Sequence, residues 1–197
     1  MTPSRPYHHG NLRQAVLDRA VVALREKGAA ELSMRELAAD IGVTHAAPRR
    51  YFPDRQALLD ALAADGFVRL GARLRQAVAG APEYRDQVRS LAVAYTDFAV
   101  SEANLVELMF AHKRGEDGPE VARSATEAFW PMLEVFRRGH AEGRLPGRDP
   151  ERGALLFLAS LQGVAGLFNC GVVPTGQLDA LVDDAAAQFS GTPEPRP

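Results

Sequence analysis

Apolar residues recur along this chain at three- and four-residue steps, the spacing that lays one stripe along an α-helix, and no stretch alternates as a half-buried strand does. Leu12, Val16, Ala20, Ala23 and Leu24 make the first stripe, opened by an Asn11-to-Gln14 capping box and stopped at Gly28. Met34, Leu37, Ala38 and Ile41 make the second, with Arg35, Glu36 and Asp40 looking outward. Ser33 and Glu36 stand at S-x-x-E spacing, in which hydroxyl and carboxylate each satisfy a free backbone N–H, so this helix is predicted to begin at Ser33. Gly42 ends it, since a glycine just past the last helical residue takes a left-handed conformation without a Cβ penalty. Val43 tucks back under both helices, and Thr44 caps a further short helix closed by Phe52-Pro53.

The remaining stripes are separated by glycine and proline. A helix capped by Asp54 runs to about Ala79, and Gly80-Ala81-Pro82 breaks it. Val88, Leu91, Ala92, Tyr95 and Phe98 follow at helical spacing, then a short helix holding Leu105, Met109 and Phe110 and a loop over 115–118. Pro119 is placed as a first helical residue, and its helix is expected to bury Val121, Ala125, Phe129, Met132 and Phe136, with Pro131 near the middle as a kink. Asp149-Pro150 opens a helix apolar on nearly every side as far as Phe168, which must be covered on more than one face. A last helix from Thr175 carries Leu178, Leu181, Val182, Ala185 and Phe189. The simplest cover for these two is a second copy of the same pair, a four-helix bundle across a two-fold axis. The fold class is therefore all-α, with about nine helices.

A capped helix, a glycine turn and a second short helix, with an amphipathic helix in front, form a helix-turn-helix DNA reader. At this point "LSMRELAADIGVTHAAPRRYFPDRQALLDAL" resembles the tetracycline-repressor (TetR) family of bacterial regulators, over roughly the first third of the chain. "YHHGNLRQAV" and "GVTHAAP" further resemble a branch whose C-terminal domain carries Trp-x-x-x-His-Gly; the equivalent stretch here, 158–163, keeps only Gly163. The resemblance implies a DNA-binding domain over 1–55 and a ligand-binding and dimerisation domain over 56–190; the tail over 191–197 reads as disordered from its composition. It also implies a homodimer through the helices near 150–169 and 175–190.

The N-terminal residues of a recognition helix meet base edges, which places His45, Ala46 and Ala47 there. Of these His45 alone can hydrogen-bond a base, while the alanines offer methyl contacts to thymine or close approach. Arg35 matches a family position that contacts bases or backbone, and its fork suits guanine. Thr44, Arg49, Tyr51 and Arg55 match phosphate-contacting or backbone-facing positions, which set register without reading sequence. Pro48 takes a usually apolar helical position; it lacks the N–H that would reach the Thr44 carbonyl, so a tight or irregular first turn is expected. Arg49 stands where a tyrosine is common.

Charge sharpens this only locally. Residues 1–55 hold nine Arg or Lys against six Asp or Glu, leaving 14 against 19 in the other 142 of 197. A mildly basic head on an acidic body fits a local DNA footprint better than general polyanion binding. The single cysteine, Cys170, excludes an internal disulfide, fits a reducing cytoplasm and is expected to pack inside. The longest apolar run, 154–168, is too short to span a bilayer. No nucleophile-and-base motif, phosphate-cradling loop or metal-ligand spacing stands out, so neither an enzyme nor a cofactor is expected.

In the family the body encloses a small-molecule pocket. Tyr95, Phe98, Met109, Phe110, Phe129, Trp130, Met132 and Phe136 are the aromatic and thioether candidates to line it, and as a set they suit a flat or apolar effector. A ligand-responsive dimeric repressor on a double-stranded palindromic operator is the leading expectation. Two alternatives stand beside it: a helical small-molecule binder or enzyme whose head has lost DNA specificity, and a nonspecific nucleoid protein.

Overall fold

In the computed structural model of the chain, the described residues are 12–111, 118–145 and 149–191. The Asn11 cap, the loop over 115–118 except Gly118, and the tail beyond Gly191 lie outside them. The described residues form α1 (Leu12–Lys27), α2 (Met34–Asp40), α3 (Arg55–Ala79), α4 (Tyr84–Ser101), α5 (Ala103–Ala111), α6 (Pro119–Ala141), α7 (Pro150–Asn169) and α8 (Leu178–Ala187), with 3-10 turns at Pro48–Arg50 and Thr175–Gln177. The expected ninth helix, from Thr44, is the first of those 3-10 turns.

The caps sit where local chemistry puts them. Ser33 Oγ accepts from the Glu36 N–H at 3.4 Å, Asp54 from the Ala57 N–H at 2.8 Å and Asp149 from the Arg152 N–H at 2.8 Å. Pro119 and Pro150 are first helical residues. Pro131 is carried inside α6, which runs through it unbroken.

Two compact units divide the chain, Met1–Gly66 with Asn104–Val121 and Phe67–Ala103 with Ala122–Pro197. The first thus extends past the residue-55 boundary expected from sequence and takes in α5. Close packing accompanies its membership: a Cβ on Gly66 would lie 2.6 Å from Met109 Sδ and 3.2 Å from Leu105 Cδ1, so a side chain there would make Met109 move aside. Asn104 Nδ2 also donates to the Leu24 and Arg25 carbonyls at 3.0 and 3.2 Å, satisfying acceptors in the last turn of α1.

In the second unit α4 packs on α7 and α8. Phe136, Phe157 and Phe189 form a ring cluster with centroids 5.3–6.0 Å apart, and Tyr84 Oη donates to the Phe189 carbonyl at 2.9 Å. Glu102, 3% exposed, pairs with Arg69 at 2.6 Å. α7 buries Gly153, Ala154, Phe157, Leu161 and Ala165, while Leu155, Leu156, Leu167 and, just beyond it, Val172 are 48–66% exposed. Cys170, expected inside, is exposed, because α7 ends there and Gly171, at φ +78°, turns the chain away.

Tyr95 is fully buried and its hydroxyl donates to Gln162 Oε1. Burial holds its pKa well above the usual 10.0 by penalising the phenolate. A group whose folded pKa is raised contributes stability below its unfolded pKa and loses it as pH rises beyond, so the protein should weaken above about pH 10. Tyr95→Phe should flatten that loss as pH rises from about 10 to 12 in urea titrations; parallel losses in both proteins would contradict the assignment.

Candidate DNA interface

The interface begins at the end of α2. Ile41 is its C-cap, and Gly42, at φ +72°, donates from its N–H to the Ala39 carbonyl at 3.1 Å. The Val43 N–H reaches back to the Ala38 carbonyl at 2.9 Å, so α2 closes in a Schellman motif and the chain leaves it in a fixed direction.

From Thr44 the expected helix does not form. Pro48 has no N–H for the Thr44 carbonyl, and the Ala47 N–H takes that acceptor at 2.9 Å, one residue early. The Arg50 N–H then reaches the Ala47 carbonyl at 3.3 Å, and the Tyr51 and Phe52 N–H groups share the Pro48 carbonyl at 3.0 Å each. The element is a tight turn and one 3-10 turn, held from beneath by buried Pro48 and Phe52. Thr44, His45, Ala46, Arg49, Arg50 and Tyr51 are exposed on it, with Ala47 half-buried.

The fate of each cation separates scaffold from surface. Arg19 Nε pairs with Asp40 at 2.8 Å and Lys27 Nζ with Glu36 at 3.4 Å, tying α1 to α2. The Arg13 guanidinium lies 5.6 Å from the Phe52 ring centre. Arg55, expected on phosphate, donates from Nε to the Leu32 carbonyl at 3.1 Å and from Nη2 to the Ala29 and Ala30 carbonyls. It clamps the α1–α2 connection. Arg35, Arg49 and Arg50 are exposed, and among the described residues none of the three makes an ion pair or a side-chain hydrogen bond. Arg50 escaped the sequence reading, although its place beside Arg49 in a two-arginine run was the available signal.

Arg55→Met should therefore lower the thermal midpoint, at a cost of about 1–2 kcal/mol for the lost charge-assisted bonds. An unchanged midpoint with weakened DNA binding would instead place Arg55 on the nucleic acid.

The eight pocket candidates are dispersed. Met109 belongs to the first unit, against Gly66, and Phe110 is half-buried beside it on α5. Tyr95, Phe98, Met132 and Phe136 are buried in the second unit. Phe129, expected inside, is half-buried edge-on to Phe67, with ring centres 6.1 Å apart. Trp130 is 46% exposed beneath the Arg137 guanidinium. Helical rotation turns residue 130 about 100° from 129, away from the core. None of the eight lines either of two open clefts, about 370 Å³ between α3 and α4 and about 340 Å³ between the α1–α2 connection and α5.

Comparison with known proteins decides the family. Residues 16–62 match the model for bacterial regulatory proteins of the tetR family, and residues 88–189, more than half of the chain, match that for the tetracyclin repressor-like C-terminal domain. The chain belongs to the TetR family. It is a DNA-binding transcriptional regulator of that ligand-responsive class. A protein of unknown function from Rhodococcus sp. RHA1 is 37% identical, covering 94% of this chain and 97% of its own, with a TM-score of 0.87. The TetR family transcriptional regulator PfmR from Thermus thermophilus shares the fold at 16% identity, covering 89% of this chain and 96% of its own, with a TM-score of 0.69. The fatty acid degradation regulator FadR from Bacillus halodurans does so at 17% identity, covering 98% and 100%, also at 0.69. No curated protein matches. Among the described residues of this TetR-family chain, no helix is long and apolar enough to cross a membrane.

Proposed function

We propose that this protein is a cytoplasmic homodimeric repressor that holds a palindromic operator and releases it when a small molecule binds its second compact unit. The observation that carries the DNA surface is the sorting of cations: Arg13, Arg19, Lys27 and Arg55 hold the fold, while Arg35, Arg49 and Arg50 stand exposed and, among the described residues, unpaired around the reading turn. Unpaired guanidinium groups release counterions when they meet phosphate, which makes binding tight and salt-dependent. In this reading Thr44, Arg49, Arg50 and Tyr51 take the backbone, and His45, with Ala46, Ala47 and Arg35, meets base edges. Arg55 is left out of the contact set.

A second copy covers the exposed side of α7. Leu156, Ala159, Gly163 and Leu167 recur there at helical spacing, with the two small residues between the leucines permitting close approach. For the effector, an apolar or aromatic molecule suits the interior around Tyr95, Phe98, Met132 and Phe136. The Tyr95 hydroxyl on Gln162 gives that interior a polar atom to hold a ligand's polar group. A ligand that favours one head spacing loosens DNA by its differential affinity for the two states.

Selection of genomic fragments by the purified protein tests this reading. It should enrich a palindrome whose half-sites lie about one helical turn, roughly 34–36 Å, apart. Recovery of fragments with no common sequence would sink it.

A further inference from the structure

We propose that Pro48 is a specificity-determining residue, which chooses the side chains presented together to base edges by forbidding the reading element an α-helical turn. The inference rests on the DNA-reading function above and adds a cause for its base preference. Three observations carry it. Pro48 cannot donate, so the Thr44 carbonyl pairs with the Ala47 N–H at 2.9 Å, three residues on. The Pro48 carbonyl then accepts from Tyr51, three residues on, as the last 3-10 bond, and from Phe52, four residues on, which closes the element at its far end, both at 3.0 Å. The pyrrolidine ring is itself buried, so the backbone cannot swing to recover a regular helix without emptying that site.

The consequence is angular. In an α-helix residues four apart are offset by about 40°, so His45 and Arg49 would share one face. In three-residue turns the same pair is offset by about 120°, and residues three apart eclipse. Arg49 then falls in the row of Ala46, and Arg50 in that of Ala47. The guanidinium groups follow small side chains that let the backbone approach a groove closely, and His45 is turned away from them to read alone. An ordinary apolar residue at position 48 fills the same buried site and restores the missing donor. It realigns His45 with Arg49.

Operator selection with wild type, Pro48→Leu and Pro48→Ala tests the inference, with thermal melts to confirm folding; alanine removes volume where leucine adds it, so a packing fault in one does not disable both. The expected result is a changed preferred base at one or more half-site positions, with relative preference between old and new operators shifted at least about tenfold, while the salt slope stays within about one unit because no cation is lost. Two outcomes overturn it: folded variants that select the wild-type operator with preferences unchanged within about twofold, or a uniform loss of affinity on all duplexes, as a merely structural proline would give. A wild-type protein that enriches no sequence defeats the regulatory reading instead, and is told apart because the failure then precedes any substitution.

Discussion

Replacing Arg49 and Arg50 together by alanine should weaken binding to every duplex, specific or scrambled, by about 100-fold at about 0.15 M salt. Each contact that neutralises a phosphate contributes about 0.9 to the slope of log affinity against log salt, and a dimer would lose four. The salt slope should therefore drop by roughly 3 to 4. Both side chains are exposed and, among the described residues, unpaired, so the double variant should melt like wild type. That combination separates a lost contact from a lost fold. Unchanged affinity and slope would show that these arginines face only solvent, and the DNA surface would have to be redrawn around Arg35.

The second large effect concerns α7. Leu156→Glu with Leu167→Glu adds charge on residues 56% and 48% exposed in the single chain, so each protomer should still fold. Across a two-fold interface on this face the same pair would bury four carboxylates in the bundle, at a large desolvation cost. Sedimentation should report a monomer. Operator affinity should then fall about 10³-fold, since the second half-site no longer binds as an intramolecular event. A variant that stays dimeric with full affinity would move the interface off this face.

What could be read from the chain beforehand was chemistry completed within a few residues. Ser33, Gly42, Asp54, Asp149 and Pro150 act on neighbouring backbone groups, and each stands in the role its local sequence implies. Pro48 was legible for the same reason, though only in part. The missing donor predicted a tight or irregular first turn, whereas the loss of the whole helix follows from the pairing of the Thr44 carbonyl three residues on, with Ala47, and from the burial of the ring.

Where a side chain's partner lies far along the chain, periodicity was blind to it. Arg55 finds carbonyls 23 to 26 residues earlier, and Asn104 caps a helix 79 and 80 residues away. No local pattern marks either as scaffold. The membership of α5 in the first unit rests on Asn104's reach to α1 and on close packing at Gly66, whose absent Cβ reads in sequence only as a weak point in a long helix. For the effector pocket, counting aromatic residues located the apolar interior without separating core from lining. Phe136 is locked among rings, whereas Trp130 faces out.

The central claim is sequence-specific DNA binding, in which exposed arginines on a tight turn hold the backbone while His45 and Arg35 meet base edges. Its most direct test is the wild-type protein's affinity, over a salt series, for its selected palindrome and for a scrambled duplex of equal length. The account predicts binding to the palindrome at least about 10³-fold tighter, with both affinities falling steeply as salt rises. Equal affinity for the two duplexes at every salt concentration would contradict it.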